Sequence, residues 1–333
     1  MLKRRLLATV AALGLVATGA TACSTATAVG GGADKVEVAA AFYAVEYAAA
    51  RIGGDQVAVT GLTKPGVEPH DVELTARKVA SVALADVVVH LRAFQPAVDE
   101  AVDHQARGRV LDVSKAARLT AGPEHDHAGE APGEHADHAG EAPGEHTDHA
   151  GEAAGEHADE ALDPHFWLDP QRYADVARAI GGALEAADPA HAAAYRQRTT
   201  SFTAELASLD RELAQGLRTC RIRDLVTSHT AFGYLAARYD FHQEGITGVS
   251  PEAEPSPAAL ARIAHFVEDE GVTTIYAETL VSPAVAETLA RETGARVKVL
   301  DPLEGLTDQS AGDNYFDVMR ANLATLRAGQ ECT

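Results

Sequence analysis

From Lys35 onward, short runs rich in β-branched residues alternate with alanine-rich stretches whose apolar positions recur at helical spacing. The spacing predicts strands over 36–41, 56–60, 86–91 and 109–113, with helices over 43–52, 75–84 and 95–104 between them. The same alternation returns later in the chain. Strands are expected over 224–228, 241–246, 273–277 and 296–300, with helices over 231–239, 257–269, 283–292 and 314–328. Strand–helix alternation of this kind favours parallel sheets covered by helices. The fold class is therefore α/β, with two similar lobes.

Between the lobes the pattern changes. Tyr195, Phe202, Leu206, Leu209, Leu213 and Leu217 share one helical face, and Asp188-Pro189 is a plausible start. A helix from Pro189 to about Arg218 would be about 45 Å long at about 1.5 Å per residue. Such a helix would join both lobes and limit their hinging. The expected organisation is an N-terminal lobe over 35–172, a helical linker over 173–218 that contains the long helix, and a C-terminal lobe over 219–333.

Within the first lobe, residues 123–160 form a degenerate repeat of about eleven residues, Gly-Glu-His-Ala-Asp-His-Ala-Gly-Glu-Ala-Pro. It has no large apolar side chain to offset the entropy of ordering it, so a loop projecting from the lobe is expected. The loop carries His125, His127, His135, His138, His146, His149 and His157. Twelve acidic residues lie in it without a Lys or Arg, so much of the chain's net charge of −21 belongs to this insert. That charge argues against nucleic acid as a partner.

The N-terminus reads as an export signal over 1–22. Lys3, Arg4 and Arg5 precede an apolar run that is too short to span a bilayer. Ala20-Thr21-Ala22-Cys23 resembles a bacterial lipoprotein processing site, which would make Cys23 a lipid anchor; ordinary cleavage nearby is the alternative. Residues 23–34 would then be a flexible tether. The protein is expected at the outer face of the cytoplasmic membrane, or in the periplasm or medium if it is not lipidated. In that oxidising setting Cys220 and Cys332 are left as an even pair suited to a disulfide.

Four dispersed residues carry the chemistry. His70 follows a Gly/Pro-containing loop, His165 lies between Pro164 and Pro170, and His229 and Asp301 stand at the ends of expected strands. Ligands of open α/β sheets bind outside the carboxyl ends of strands. Three neutral imidazoles and one carboxylate form a coherent tetrahedral set for Zn2+ and leave no open position for a catalytic water. The set therefore favours holding zinc over using it. Glu278 competes with Asp301 for the fourth position, and Glu68 is a weaker rival. Asp71, Asp163 and Asp169, with Glu278 if it is not a ligand, are placed to accept the second ring N–H of a ligand imidazole. His90, His104, His191, His242 and His265 have no such context and read as structural or surface residues.

In order along the chain stand Gly66-Val67-Glu68-Pro69-His70-Asp71, the acidic His-rich loop, Asp163-Pro164-His165-Phe166-Trp167-Leu168-Asp169-Pro170, and Ser228-His229-Thr230-Ala231-Phe232-Gly233-Tyr234. This series resembles the zinc-specific solute-binding proteins of bacterial ABC importers, the ZnuA-type family, over essentially the whole mature chain. The resemblance implies two lobes joined by a rigid long helix, a metal site in the cleft, and delivery to a membrane permease with its cytoplasmic ATPase. Matched residue by residue, it makes His70, His165 and His229 ligands. Manganese-binding relatives carry Glu at the position of His229, which points here to zinc. The fourth position varies in the family.

The expected function is thus a monomeric extracytoplasmic zinc receptor, not an enzyme, with the loop as accessory capture. A metal-buffering surface lipoprotein or adhesin built on the loop is the alternative. A zinc-dependent hydrolase fits less well, because the chain has no His-Glu-x-x-His helix and no evident nucleophile–base pair.

Overall fold

The computed structural model describes residues 35–121 and 162–333. The signal, the tether, Cys23 and the seven loop histidines lie outside the described residues.

The first sheet is built from β1 (Val36–Ala40), α1 (Tyr43–Gly53), β2 (Val57–Gly61), α2 (Ala76–Leu84), β3 (Val87–His90), α3 (Pro96–Gln105) and β4 (Arg109–Asp112), followed by one turn of helix, α4 (Ser114–Ala117). Its four strands are all parallel, in the order β2-β1-β3-β4. The central strand β3 is buried throughout, whereas β4 at the edge is largely exposed. Val-rich β3 therefore reads as a continuous apolar run, as expected for a parallel strand covered on both faces. Next come α5 (Pro170–Ala187), which packs on β3, β4 and α1, and α6 (Ala192–Leu217).

The second sheet repeats the plan. It comprises β5 (Asp224–Thr227), α7 (Gly233–Tyr239), β6 (His242–Gly245), α8 (Pro257–Asp269), β7 (Thr274–Ala277), α9 (Ala284–Thr293) and β8 (Arg296–Val299), and α10 (Tyr315–Gly329) closes the chain. Its order is β6-β5-β7-β8, again all parallel. In each sheet the chain reverses its direction of travel beside the first strand. The carboxyl ends of β1 and β3, and of β5 and β7, thus flank a crevice of the kind where ligands bind in open sheets.

The long helix is shorter than its pattern predicts. Pro189–His191 forms a separate 3-10 turn, and α6 comes next with 26 residues, about 39 Å at about 1.5 Å per residue. Asp188 explains the break, since its carboxylate accepts from His191 Nδ1 and from the Tyr195 hydroxyl at 2.6 and 2.9 Å. The six apolar residues of the predicted face are all buried, each worth about 1.5–3 kcal/mol relative to exposure. The helix runs antiparallel to α5 and also packs against α1, α7 and α10. It therefore touches both lobes.

One contiguous apolar core results from that packing. It contains Phe42 and Val88 of the first lobe, Leu206 and Leu209 of α6, and Leu225, Tyr276 and Leu303 of the second. A smaller cluster around Ile263, Ile275 and Leu289 fills the far side of the second sheet. The first core passes beneath the cleft. Opening the cleft by a wide hinge would expose it, which disfavours large lobe movements.

Cys220 and Cys332 are joined in a disulfide. It ties the segment after α10 to the start of the second lobe. For the separation of 112 residues, chain entropy alone would contribute up to about 4.7 kcal/mol. Among the described residues no helix is long and apolar enough to cross a membrane.

Candidate metal centre

His70 reaches the cleft on the loop after β2. Behind it, the buried Gln95 amide donates to Thr63 Oγ1 and to the Pro69 carbonyl at 2.9 and 3.0 Å, which fixes the backbone next to the ring. The Phe94 ring meets the imidazole edge-on at 4.8 Å. His165 is anchored by its C-terminal neighbours. Phe166, Trp167 and Leu168 form a fully buried 3-10 turn, and Asp169 then caps α5 by accepting from Gln171 N at 2.8 Å.

His229 and Glu278 lie on neighbouring strand ends. His229 is two residues beyond β5 and Glu278 directly beyond β7, where Thr227 pairs with Tyr276. The register brings Glu278 onto His229 twice. Its carboxylate accepts from the His229 backbone N–H at 3.0 Å and from ring Nδ1 at 2.6 Å. Asp163 treats His165 in the same way, accepting from its N–H at 2.9 Å and from Nδ1 at 2.7 Å.

A carboxylate can only accept, so Nδ1 carries a proton in both rings, which leaves Nε2 as the nitrogen that can offer a lone pair to a cation in the cleft once its own proton is displaced. The fourth group there is Glu304, on the loop after β8. His70, His165 and His229 each present one nitrogen, and Glu304 one oxygen, with all four atoms within 4.8 Å of one another. His165 Nε2 lies 3.3 Å from His70 Nε2, 3.4 Å from His229 Nε2 and 2.9 Å from Glu304 Oε1. Glu304 Oε1 lies 3.0 Å from His70 Nε2 and 3.4 Å from His229 Nε2. A tetrahedral ion with bonds of about 2.05 Å has donor–donor edges of about 3.3 Å. Three of the six edges, at 3.3–3.4 Å, match that length, and the two from Glu304 to His165 and His70 are shorter, at 2.9 and 3.0 Å.

The fourth position is therefore a correction to the sequence reading. Asp301 does not face the cleft, because its side chain turns back on its own loop. Oδ1 accepts from Leu303 N and Oδ2 from Ser310 Oγ, both at 2.8 Å. This is the turn that a short acidic side chain forms two residues ahead of itself. Asp301-Pro302 was the signal that could have been read this way, leaving the longer Glu304, three residues on, as the available carboxylate. Glu278 serves His229 and is not in the group of four. Glu68 accepts from the His70 N–H at 2.9 Å and stands 3.9 Å from its Nε2, beside the group but outside it. Two expected imidazole partners are also corrected. Asp71 is exposed, and Asp169 is occupied by the α5 cap and Arg238. Buried His90 holds Asp99 through Nδ1 at 3.1 Å, a structural role.

The electrostatics suit a cation. Burial opposes charge on His229, but Glu278 and Glu304 outweigh it and raise its pKa to about 10. Burial likewise opposes charge on His165, and hydrogen bonds to Asp163 and Glu304 raise it nonetheless. His70 is lowered, chiefly by burial. Glu304 is buried too, yet the adjoining histidines hold it well below the usual carboxylate range. Burial and the nearby Glu304 push Glu68 up to about 7. The centre is thus an acidic, largely buried cage that favours positive charge.

Residues 38–329 match the family model described as zinc-uptake complex component A, periplasmic. The chain belongs to the ZnuA family. It is 35% identical over 299 residues to the zinc-binding protein AdcA of Streptococcus pyogenes, covering 88% of this chain and 56% of that protein. The chain thus spans about half the length of the streptococcal AdcA relatives. It is 33% identical over 300 residues to the high-affinity zinc uptake system protein ZnuA of Bacillus subtilis, covering 88% and 87% of the two chains. Among solved structures, the Zn(II)-bound ZnuA-like domain of Streptococcus pneumoniae AdcA superposes with TM-score 0.67 at 30% identity, over 89% of this chain and 99% of that one. The laminin-binding protein Lmb of Streptococcus agalactiae, described as both adhesin and metal transporter, superposes with TM-score 0.73 at 29% identity, over 89% and 99%.

Proposed function

We propose that this ZnuA-family protein is a high-affinity extracytoplasmic zinc receptor that hands Zn2+ to an ABC permease. His70 and His165 of one lobe and His229 and Glu304 of the other would be the ligands. The observation that carries this reading is the convergence of three Nε2 atoms and one carboxylate oxygen within 4.8 Å of one another, with two of the rings fixed through Nδ1 by Asp163 and Glu278. Zinc would be cargo. Four protein donors leave no position for an activated water, and an imidazole-rich tetrahedral set favours Zn2+ over Mn2+. His70 is the one ring of the three that is not fully buried, so the cation would enter and leave on its side.

The relative named zinc-binding lipoprotein AdcA, of Streptococcus pneumoniae, is 34% identical over 303 residues and supports lipid anchoring at Cys23. The seven loop histidines would capture zinc weakly, since ordering the loop around a cation costs entropy that the cleft does not incur. Chelator competition with Zn2+ and Mn2+ tests the division. Mature protein lacking 123–160 is expected to keep one tight zinc and to bind manganese far more weakly. Loss of the tight zinc with the loop alone would transfer the function to the repeat and favour the buffering lipoprotein.

Glu278→Gln provides a second check. The two N–H groups of His229 rest on separate carboxylate oxygens, so in glutamine one of those contacts becomes donor against donor and the ring orientation loosens. Zinc affinity is expected to fall about 10- to 100-fold with all four ligands still present. Unchanged competition curves would show that the carboxylate does not tune the site.

A further inference from the structure

We infer that Asp301 is a positioning residue that holds Glu304 in place by locking Leu303 in a left-handed backbone conformation. This rests on Glu304 being a zinc ligand and adds how the loop after β8 presents it. Leu303 is fully buried and has φ of 58°, a region that favours glycine and strains a branched side chain. Such strain persists only where the surroundings over-determine it. Here they do so from three directions.

The first is α10. The buried Asn322 accepts from Asp301 N at 3.0 Å through Oδ1 and donates to Asp301 O at 2.7 Å through Nδ2, so one amide grips both sides of the Asp301 backbone. The second is the Asp301 carboxylate, with one oxygen on Leu303 N and the other on Ser310 Oγ. The third comes from the opposite lobe, where Trp167 Nε1 donates to the Pro302 carbonyl at 2.8 Å. Trp167 is two residues from His165, and its ring lies 5.4 Å from that imidazole. The loop carrying Glu304 is therefore keyed both to its own lobe and to the segment carrying His165.

Only Asp301 in this set contacts Leu303 directly through its side chain. With that acceptor gone, Leu303 is free to relax toward ordinary backbone angles. Glu304, the next residue, would then swing off the imidazole triad. Preset donors favour the small tetrahedral ion, and a displaced carboxylate costs affinity without removing a ligand.

The test uses the full mature chain, with zinc affinity from chelator competition and Co2+ as a spectroscopic probe whose strong visible bands report tetrahedral geometry. Asp301→Ala is expected to weaken zinc about 10- to 100-fold and to diminish the cobalt bands. Asp301→Asn keeps an oxygen for Leu303 N and an amide that Ser310 Oγ can accept from, so it should bind like the parent and fold even if the alanine variant does not. Adding Leu303→Gly to Asp301→Ala should restore part of the affinity, because glycine adopts the left-handed conformation unaided. Equal losses in the asparagine and alanine variants, or parental affinity and bands in the alanine variant, overturn the assignment. Glu304→Gln separates the underlying reading. Undiminished zinc binding there removes Glu304 as a ligand, whereas loss there with parental Asp301→Ala removes only the positioning role.

Discussion

Replacing His165 by Ala is expected to abolish tight zinc binding. Of the three rings, His165 alone lies within 3.4 Å of all the other candidate donors, so the other three depend on it to surround a cation. Structural zinc sites with four ligands supply about 10–16 kcal/mol, which puts one ligand at about 3 kcal/mol or roughly a hundred- to a thousand-fold in affinity. The fold should survive the change. Asp163 keeps its contact with the backbone N–H of residue 165, and the anchors Phe166, Trp167 and Leu168 are untouched. The experiment is best done on protein without residues 123–160, so that no loop histidine can take up the released metal. Circular dichroism at parental strength beside a lost competition signal is the expected pair of results. A variant that still held one zinc as tightly as the parent would sink the cleft reading and leave the four-donor cluster without a role.

The legibility of His165 in the sequence, and the difficulty with the fourth ligand, have different physical origins. Many of the strands and helices are legible because central parallel strands such as β3 are short apolar runs, and because the buried face of α6 repeats at helical spacing. The three histidines are legible because His229 stands just beyond a strand and His70 and His165 lie on proline-marked loops, the places where an α/β fold gathers side chains. Asp301 and Glu304 cannot be separated that way, since both follow the same strand. The difference between them is a turn three residues long, set by a left-handed Leu303 that no periodicity reveals. The roles of the other acids depend on register. Glu278 reaches His229 only because β7 lies beside β5, whereas Asp163 reaches His165 locally, across Pro164. Asp71 and Asp169 have equally suggestive neighbours in sequence, yet one faces solvent and the other caps a helix. Adjacency along the chain identifies candidates, and strand order decides among them.

Acidification should empty the centre well before it unfolds the protein. Zn2+ binds only to unprotonated Nε2 atoms, so each proton held by the cation-free site must leave when the metal enters. His229, raised to about 10, keeps its proton through neutral pH while the site is cation-free, and His165 is raised in the same direction, so zinc must displace protons there. A raised pKa means stronger proton competition at a given pH, so affinity rises with pH and falls as pH drops. His70 is lowered by burial and joins the competition only in acid, which steepens the loss there. Glu304 stays ionised throughout, but Glu68, at about 7, loses its charge over the same interval and with it some attraction for the cation. One to two protons released per zinc correspond to about 10²- to 10⁴-fold weaker binding at pH 5 than at pH 7. Calorimetry in buffers of different ionisation enthalpy counts the protons at each pH, and competition titrations give the affinities. Equal affinity at both pH values, with heats independent of the buffer, would mean that the metal does not displace protons from imidazoles. Zinc binding at this buried, negatively biased centre would thus be an exchange of cation for protons.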